Sequence, residues 1–140
     1  DLGQHPVIST KGACEAWRSE SLEILVGDIF ELDPSLIGPF DGVWDRAALV
    51  ALNKTDRARY VPWILHLLKS GGRGLLSTLS YDQTQMKGPP FSVTADEVDS
   101  LYHAAWTLEQ LERVDVAQRS PLFIEAGIDQ AYEETWLIGQ

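Results

Sequence analysis

Asp28, Ile29, Asp45 and Arg46 are the residues whose types and spacing best suit chemistry. They close two short apolar runs, LEILVGDIFEL over residues 22–32 and FDGVWDRAALVAL over residues 40–52. A short apolar run ending in an acid is the layout of a parallel strand whose carboxyl end faces a ligand crevice. Arg46 stands at such an end, and its guanidinium offers several donors in a fixed fork, suited to an anionic or hydrogen-bonding ligand. The plainer use of Arg46 is an ion pair with Asp41 or Asp45. Asp28 and Asp45 equally have plain uses, as caps of the turns that follow them.

Further along, Ser80, Tyr81 and Asp82 leave a later strand on the same edge, where Tyr81 can flank a flat ligand or simply pack. The segment 83–91 is polar and then stiff at Gly88-Pro89-Pro90. Such a loop can cover a site while the prolines hold its base, with Pro90 and Phe91 offering apolar surface to an aromatic substrate. No pattern in the sequence sets the isomer of the Pro89 and Pro90 bonds. Trp44, Trp63, Trp106 and Trp136 each lie in an apolar run and are expected in the core.

These side chains need elements to hold them. Residues 1–21 read as loop with a short strand near Ala16 and Trp17, and Leu22–Val26 as the first firm strand. Gly42–Trp44 reads as the next strand, with a short helix over Ala47–Leu52. Thr55 is the expected N-cap of a longer helix in which Tyr60, Ile64, Leu67 and Leu68 share a face. Pro62 either kinks that helix or starts it. Ser70-Gly71-Gly72 should end it, with a buried strand following over Gly74–Ser80. Thr94 and Glu97 form a capping box for a helix reaching about His103, burying Val98, Leu101 and Tyr102. Thr107–Val116 and Ala131–Ile138 read as a closing antiparallel pair joined around Pro121. Alternating strands and helices imply an α/β fold with parallel pairing and right-handed crossovers.

Composition narrows the function. A chain of 140 residues with 44 % hydrophobic content supports one core, so a single domain is the default. Its formal charge of -10 and scattered basic residues argue against a nucleic-acid surface. His5, His66 and His103 lie far apart beside a lone Cys14, so no zinc-type spacing is present, carboxylate-only metal sites are left open, and no internal disulfide forms. No run is long enough to span a bilayer, and a cytoplasmic setting is expected. The chain opens at Asp1 without a glycine-rich strand-to-helix loop ahead of the first run, and reads as the rear portion of a larger domain.

The ordered string GDIFEL, FDGVWDRAALVAL, GLLSTLSYD, GPPF, VDVAQR and a final aromatic strand resembles the thiopurine S-methyltransferase family, above all its bacterial members. The resemblance runs from about Leu22 onward. It implies a Rossmann-like class I methyltransferase fold, a doubly wound mostly parallel sheet with an antiparallel terminal strand pair, here without its N-terminal strands. It implies S-adenosylmethionine as cofactor and a small thiol, thiopurine, selenium or tellurium compound as methyl acceptor. It assigns Asp28, Ile29 and Arg46 to the cofactor, Asp28 accepting from the adenine amine while Ile29 covers the ring. It places Arg46 and Arg119 beside the acceptor as the catalytic pair, Arg119 aligning across a one-residue gap, and Tyr81, Pro90 and Phe91 around it.

Methyl transfer to a soft sulfur nucleophile asks for alignment and charge-assisted hydrogen bonds, not a triad or a metal. WDRA also lacks the Asn/Asp-Pro-Pro-aromatic tetrad of enzymes that methylate amino nitrogens. Two strand tips, one acidic and one bearing a guanidinium, are thus expected to converge on one cleft. The competing expectation is a catalytically silent nucleoside-binding α/β fragment. Family members are monomers, but unpaired strand edges in such a fragment favour self-association.

Overall fold

A computed structural model describes residues 6–102 and 106–139 of the chain. Two compact units divide it, residues 1–38 and residues 39–140.

The first unit is a three-stranded antiparallel sheet of β1 (Val7–Lys11), β2 (Cys14–Arg18) and β3 (Glu23–Val26). Lys11 pairs with Cys14 across the two-residue turn Gly12-Ala13, and Gly12 supplies the positive φ (58°) which that turn requires. The expected strand near Ala16 and Trp17 is present, but the surrounding loop is not: both sides of the turn are strands. β3 also departs from expectation, pairing antiparallel with β2 rather than lying in a parallel sheet. Connections this short close at little entropic cost, so local hairpin pairing wins. Cys14, Ala16 and Leu32 are buried within this unit.

The second unit carries a four-stranded mixed sheet in the order β4-β5-β7-β6. β4 (Phe40–Asp45) and β5 (Leu68–Tyr81) run parallel, whereas β5 with β7 (Ala131–Gly139) and β7 with β6 (Thr107–Asp115) are antiparallel. The expected α/β class and closing antiparallel pair are therefore present. A mostly parallel sheet is not: among the described residues β4–β5 is the single parallel pair.

The crossover from β4 to β5 contains α1 (Ala48–Ala51) and α2 (Lys54–His66). Asn53, not Thr55, caps α2, its side-chain oxygen accepting from the backbone N–H groups of Thr55 and Asp56 at 3.0 and 3.1 Å. Pro62 lies inside α2, which ends four residues later with Leu67 as its C-cap. The Ser70-Gly71-Gly72 stretch does not terminate the helix; it lies within β5, where the register slips between the pairs Phe40–Leu68 and Gly42–Arg73. Gly71 takes φ 74° in that irregularity.

α3 (Ala95–Tyr102) starts at the Thr94 cap, whose Oγ1 accepts from the Glu97 N–H at 3.3 Å, and it buries Val98 and Tyr102 as its spacing predicts, whereas Leu101, also expected inside, is half-buried. The expected end near His103 lies outside the described residues. α4 (Pro121–Glu125) interrupts the loop between β6 and β7. Trp106 and Trp136 are core residues, but Trp44 is 76 % exposed and Trp63 half-buried. Strand parity explains Trp44: Asp45 turns to the covered face of β4, so its neighbour turns to the other.

Candidate functional site

The tip of β4 is pinned by Asp45. Its Oδ1 accepts from the N–H groups of Ala48 and Leu49 at 3.1 and 3.4 Å, capping the turn into α1. The carboxylate is buried, and Oδ2 finds no donor in hydrogen-bonding geometry among the described residues. Its charge and their own burial push the phenols of Tyr60 and Tyr102 far above the ordinary tyrosine range, so both stay protonated.

Arg46 therefore leaves β4 from a fixed point. Neither expected ion pair forms: Asp41 binds Lys69 Nζ at 2.7 Å, and Asp45 is occupied by backbone donors. Among the described residues Arg46 has no carboxylate partner. It lines a cavity of about 770 Å³ within the second unit, and Arg119 lines the same cavity from the turn after β6. Pro90 joins them, so three of the residues expected at an acceptor site meet in one place.

The walls are apolar, with Val50, Leu79, Val114 and Phe123 among them, while Ser77, Glu133, Thr135 and Glu112 put polar groups on the sheet floor. Ser77 Oγ donates to Glu133 Oε1 at 3.0 Å, which holds that carboxylate against the sheet. An open apolar cavity with two guanidinium groups suits a flat, partly anionic molecule. The floor residues were legible in principle, because Glu112 and Val114 on β6, and Glu133 and Thr135 on β7, keep the period of two that puts them on one face.

Tyr81 and Phe91 do not line the cavity. Tyr81 is buried beside it, ring tilted against Phe123 at 5.4 Å, and its hydroxyl donates to the Pro90 carbonyl at 2.6 Å. Burial raises its phenol above the usual value, which keeps it a donor. Tyr81 thus fixes Pro90 at the edge of the cavity. Phe91 faces the Arg57 guanidinium, 5.8 Å from the ring centroid, on a separate cleft. Both bonds left open by the sequence, Gly88–Pro89 and Pro89–Pro90, are cis.

Arg57 went unnoticed in the sequence. Buried in α2, it donates through Nε to the carbonyls of Leu49 and Leu52, and through Nη1 to those of Ser92 and the Glu97 carboxylate. One side chain thereby ties α1 and the Gly88–Ser92 loop to α3. A charged residue on the same helical face as Tyr60 and Val61 was the available signal.

Asp28 and Ile29 belong to the first unit. Asp28 is exposed and caps a turn of 3₁₀ helix over Ile29–Glu31, Oδ1 accepting from Phe30 N–H at 2.8 Å. The capping role suggested by its position after Gly27 is therefore real. Ile29 beside it is half-buried. Among the described residues no helix is long and apolar enough to cross a membrane, and no cluster of side chains has the makings of a metal site.

Comparison with known proteins adds the family. The thiopurine S-methyltransferase of Pseudomonas putida (strain KT2440) is 39 % identical over 138 residues, covering 99 % of this chain and 63 % of the relative. That of Xanthomonas axonopodis pv. citri is 42 % identical over 128 residues, covering 91 % of this chain and 59 % of the relative. The chain thus spans about 63 % of the first of these relatives. Among solved structures, the Burkholderia thailandensis 1,6-didemethyltoxoflavin-N1-methyltransferase, with bound 1,6-didemethyltoxoflavin and S-adenosylhomocysteine, matches with a TM-score of 0.50 at 22 % identity. The match covers 80 % of this chain and 48 % of that one, a likeness of fold. The family profile described as thiopurine S-methyltransferase matches residues 1–140, and the chain belongs to that family.

Proposed function

We propose that this chain serves S-adenosylmethionine-dependent methyl transfer to a small soft nucleophile, a thiopurine-type thiol or a selenium or tellurium species. The observation that supports the reading most is the pairing of Arg46 and Arg119 in one cavity, with Arg46 lacking an internal carboxylate partner among the described residues.

The residues present suit the adenosine end of the cofactor. Asp28 spends one carboxylate oxygen on its own turn and keeps Oδ2 for an exocyclic amine, and Ile29 sets apolar surface next to it. Arg46, in the second unit, is the remaining cofactor residue of this reading. When bound, S-adenosylmethionine supplies an activated methyl carbon on a sulfonium, so the protein needs no metal or covalent intermediate for the transfer.

The chain's own residues orient and hold the acceptor. Arg46 and Arg119 stabilise the thiolate form and its ring nitrogens through charge-assisted hydrogen bonds, which favours the nucleophilic state without a strong general base. Val50, Leu79 and Phe123 exclude water from the acceptor's faces, and Pro90, held by the Tyr81 hydroxyl, limits its sideways movement.

Calorimetric titration with S-adenosylhomocysteine tests the reading. Saturable heat that weakens on Asp28→Ala supports a working cofactor site. A folded chain that evolves no heat supports the catalytically silent fragment instead.

A further inference from the structure

The face of the sheet opposite the cavity carries a second polar site. Along β7, Glu133 and Thr135 line the cavity, and the residue between them, Glu134, points to the other face. Two adjoining clefts there, of about 570 and 400 Å³, share Ser80, Thr94 and Arg113. Asp82 and Asp129 line one of them, and Asp96 and Glu134 the other. Arg113 is the sole basic residue on either wall.

Glu134 is only 3 % exposed. Its Oε1 accepts from Arg113 Nε at 3.1 Å and from Ser80 Oγ at 3.4 Å. Its Oε2 is sealed from solvent with no donor among the described residues. A buried carboxylate oxygen without a donor is costly and marks a place where a ligand or ion belongs. Arg113 meets the same carboxylate through Nε, on the neighbouring oxygen. Its guanidinium carbon lies over the Tyr132 ring, 3.6 Å from the centroid, and its side chain is half exposed. A long side chain with half its surface in solvent can move aside without disturbing the core.

The chemistry of the occupant follows from the walls. Four carboxylates against one guanidinium repel an anion. A bare divalent cation would need several oxygen ligands converging at once, and no such group exists among the described residues. An N–H-bearing organic cation answers both demands, since it donates to Oε2 and gains from the surrounding negative charge. We infer that these clefts bind a short aliphatic diamine or polyamine, one ammonium on Glu134 and the next toward the Asp82 and Asp129 wall. This site is independent of the methyl-transfer cavity, and its test stands whether or not that reaction occurs.

The experiment is a titration of the 140-residue chain with putrescine, followed by NMR at the Arg113 Nε–H and by calorimetry. Butanediol serves as the uncharged counterpart and sodium chloride as the control for ionic strength. Saturable binding at about 1 mM or tighter is expected, with the Arg113 signal moving and butanediol inert. Glu134→Gln, which keeps the volume and removes the charge, should weaken binding by about tenfold. If that variant fails to fold, Asp82→Asn with Asp129→Asn on the exposed rim should weaken it several-fold instead. Equal response to butanediol or to salt alone, a linear response to putrescine, or unaltered binding by the folded variants would each overturn the inference.

Discussion

Arg57 Nη1 donates to Glu97 Oε1 at 2.8 Å, with the two side chains 4 % and 18 % exposed. This pair joins α2 to α3. It also organises the cavity, because the same guanidinium holds the carbonyls of Leu49, Leu52 and Ser92. Those bonds anchor the end of α1 and the base of the Pro90 loop, which Phe91 N–H clips to Val50 O at 2.6 Å. Val50 and Pro90 both face the cavity.

Replacing Arg57 by Leu leaves Glu97 without its cation and removes a donor from the carbonyls of Leu49, Leu52 and Ser92, of which Leu49 keeps the Leu52 N–H. The expected loss is about 3 kcal/mol in urea unfolding. Glu97→Gln keeps a hydrogen-bond acceptor opposite Arg57 and should cost clearly less. Equal losses for the two variants would show that the carbonyl contacts contribute nothing.

Gly27 makes a sharper claim on the first unit. A Cβ built there would sit 2.7 Å from Cys14 Sγ and 3.2 Å from Cys14 Cα. The thiol could be trimmed, but the Cα belongs to β2 and cannot yield cheaply. Gly27→Ala should therefore destabilise the unit by about 1–3 kcal/mol, with faster hydrogen exchange at Ala16 and Leu25. Adding Cys14→Ala should restore only part of the loss, because the backbone contact remains.

Much of the second unit could be read in advance because its signals are local. The β4 run ends in a cap, Thr94 and Glu97 mark the start of α3, and β7 keeps a period of two. Elements that depended on partners far along the chain escaped. VISTK shows no apolar run, so β1 became visible only through its pairing with β2. Gly71 and Gly72 looked like a helix stop, yet the pairing of β4 with β5 absorbs them as a register slip. Arg46 and Arg119 lie 73 positions apart (119 − 46), and only the fold puts them on one cavity. For Tyr81 flanking and packing were both open; its ring packs on Phe123, and nothing local told of its bond to the Pro90 carbonyl.

Tyr60 and Tyr102 set an alkaline limit on stability. Both phenols are raised above the ordinary value by burial first and by the Asp45 charge second. Their contribution is fully present below about pH 10, where the folded and unfolded forms both keep the proton. Above that, the unfolded chain ionises while the folded chain cannot, so unfolding becomes easier by about 1.4 kcal/mol per pH unit for each phenol. The loss continues until the raised folded-state values are reached. Tyr102→Phe should flatten this slope by about half, measured by denaturant unfolding between about pH 9 and 11. An unchanged slope would place the alkaline transition elsewhere.

Arg46 and Arg119 carry the last expectation. If both hold the same acceptor, Arg46→Ala in a full-length version should lower kcat/KM for mercaptopurine at least about tenfold, a loss of about 1.4 kcal/mol. Arg46→Lys keeps the charge but not the fork, and should recover only part of the rate. Arg119→Ala should cost less, since Arg119 lies in a loop turn rather than at a strand tip capped by Asp45. The double variant is the decisive one. Two arginines gripping one anion are coupled, so removing both should cost less than the sum of the separate losses. Strict additivity would mean that they act on different groups, and an unchanged rate in Arg46→Ala would remove it from the reaction altogether.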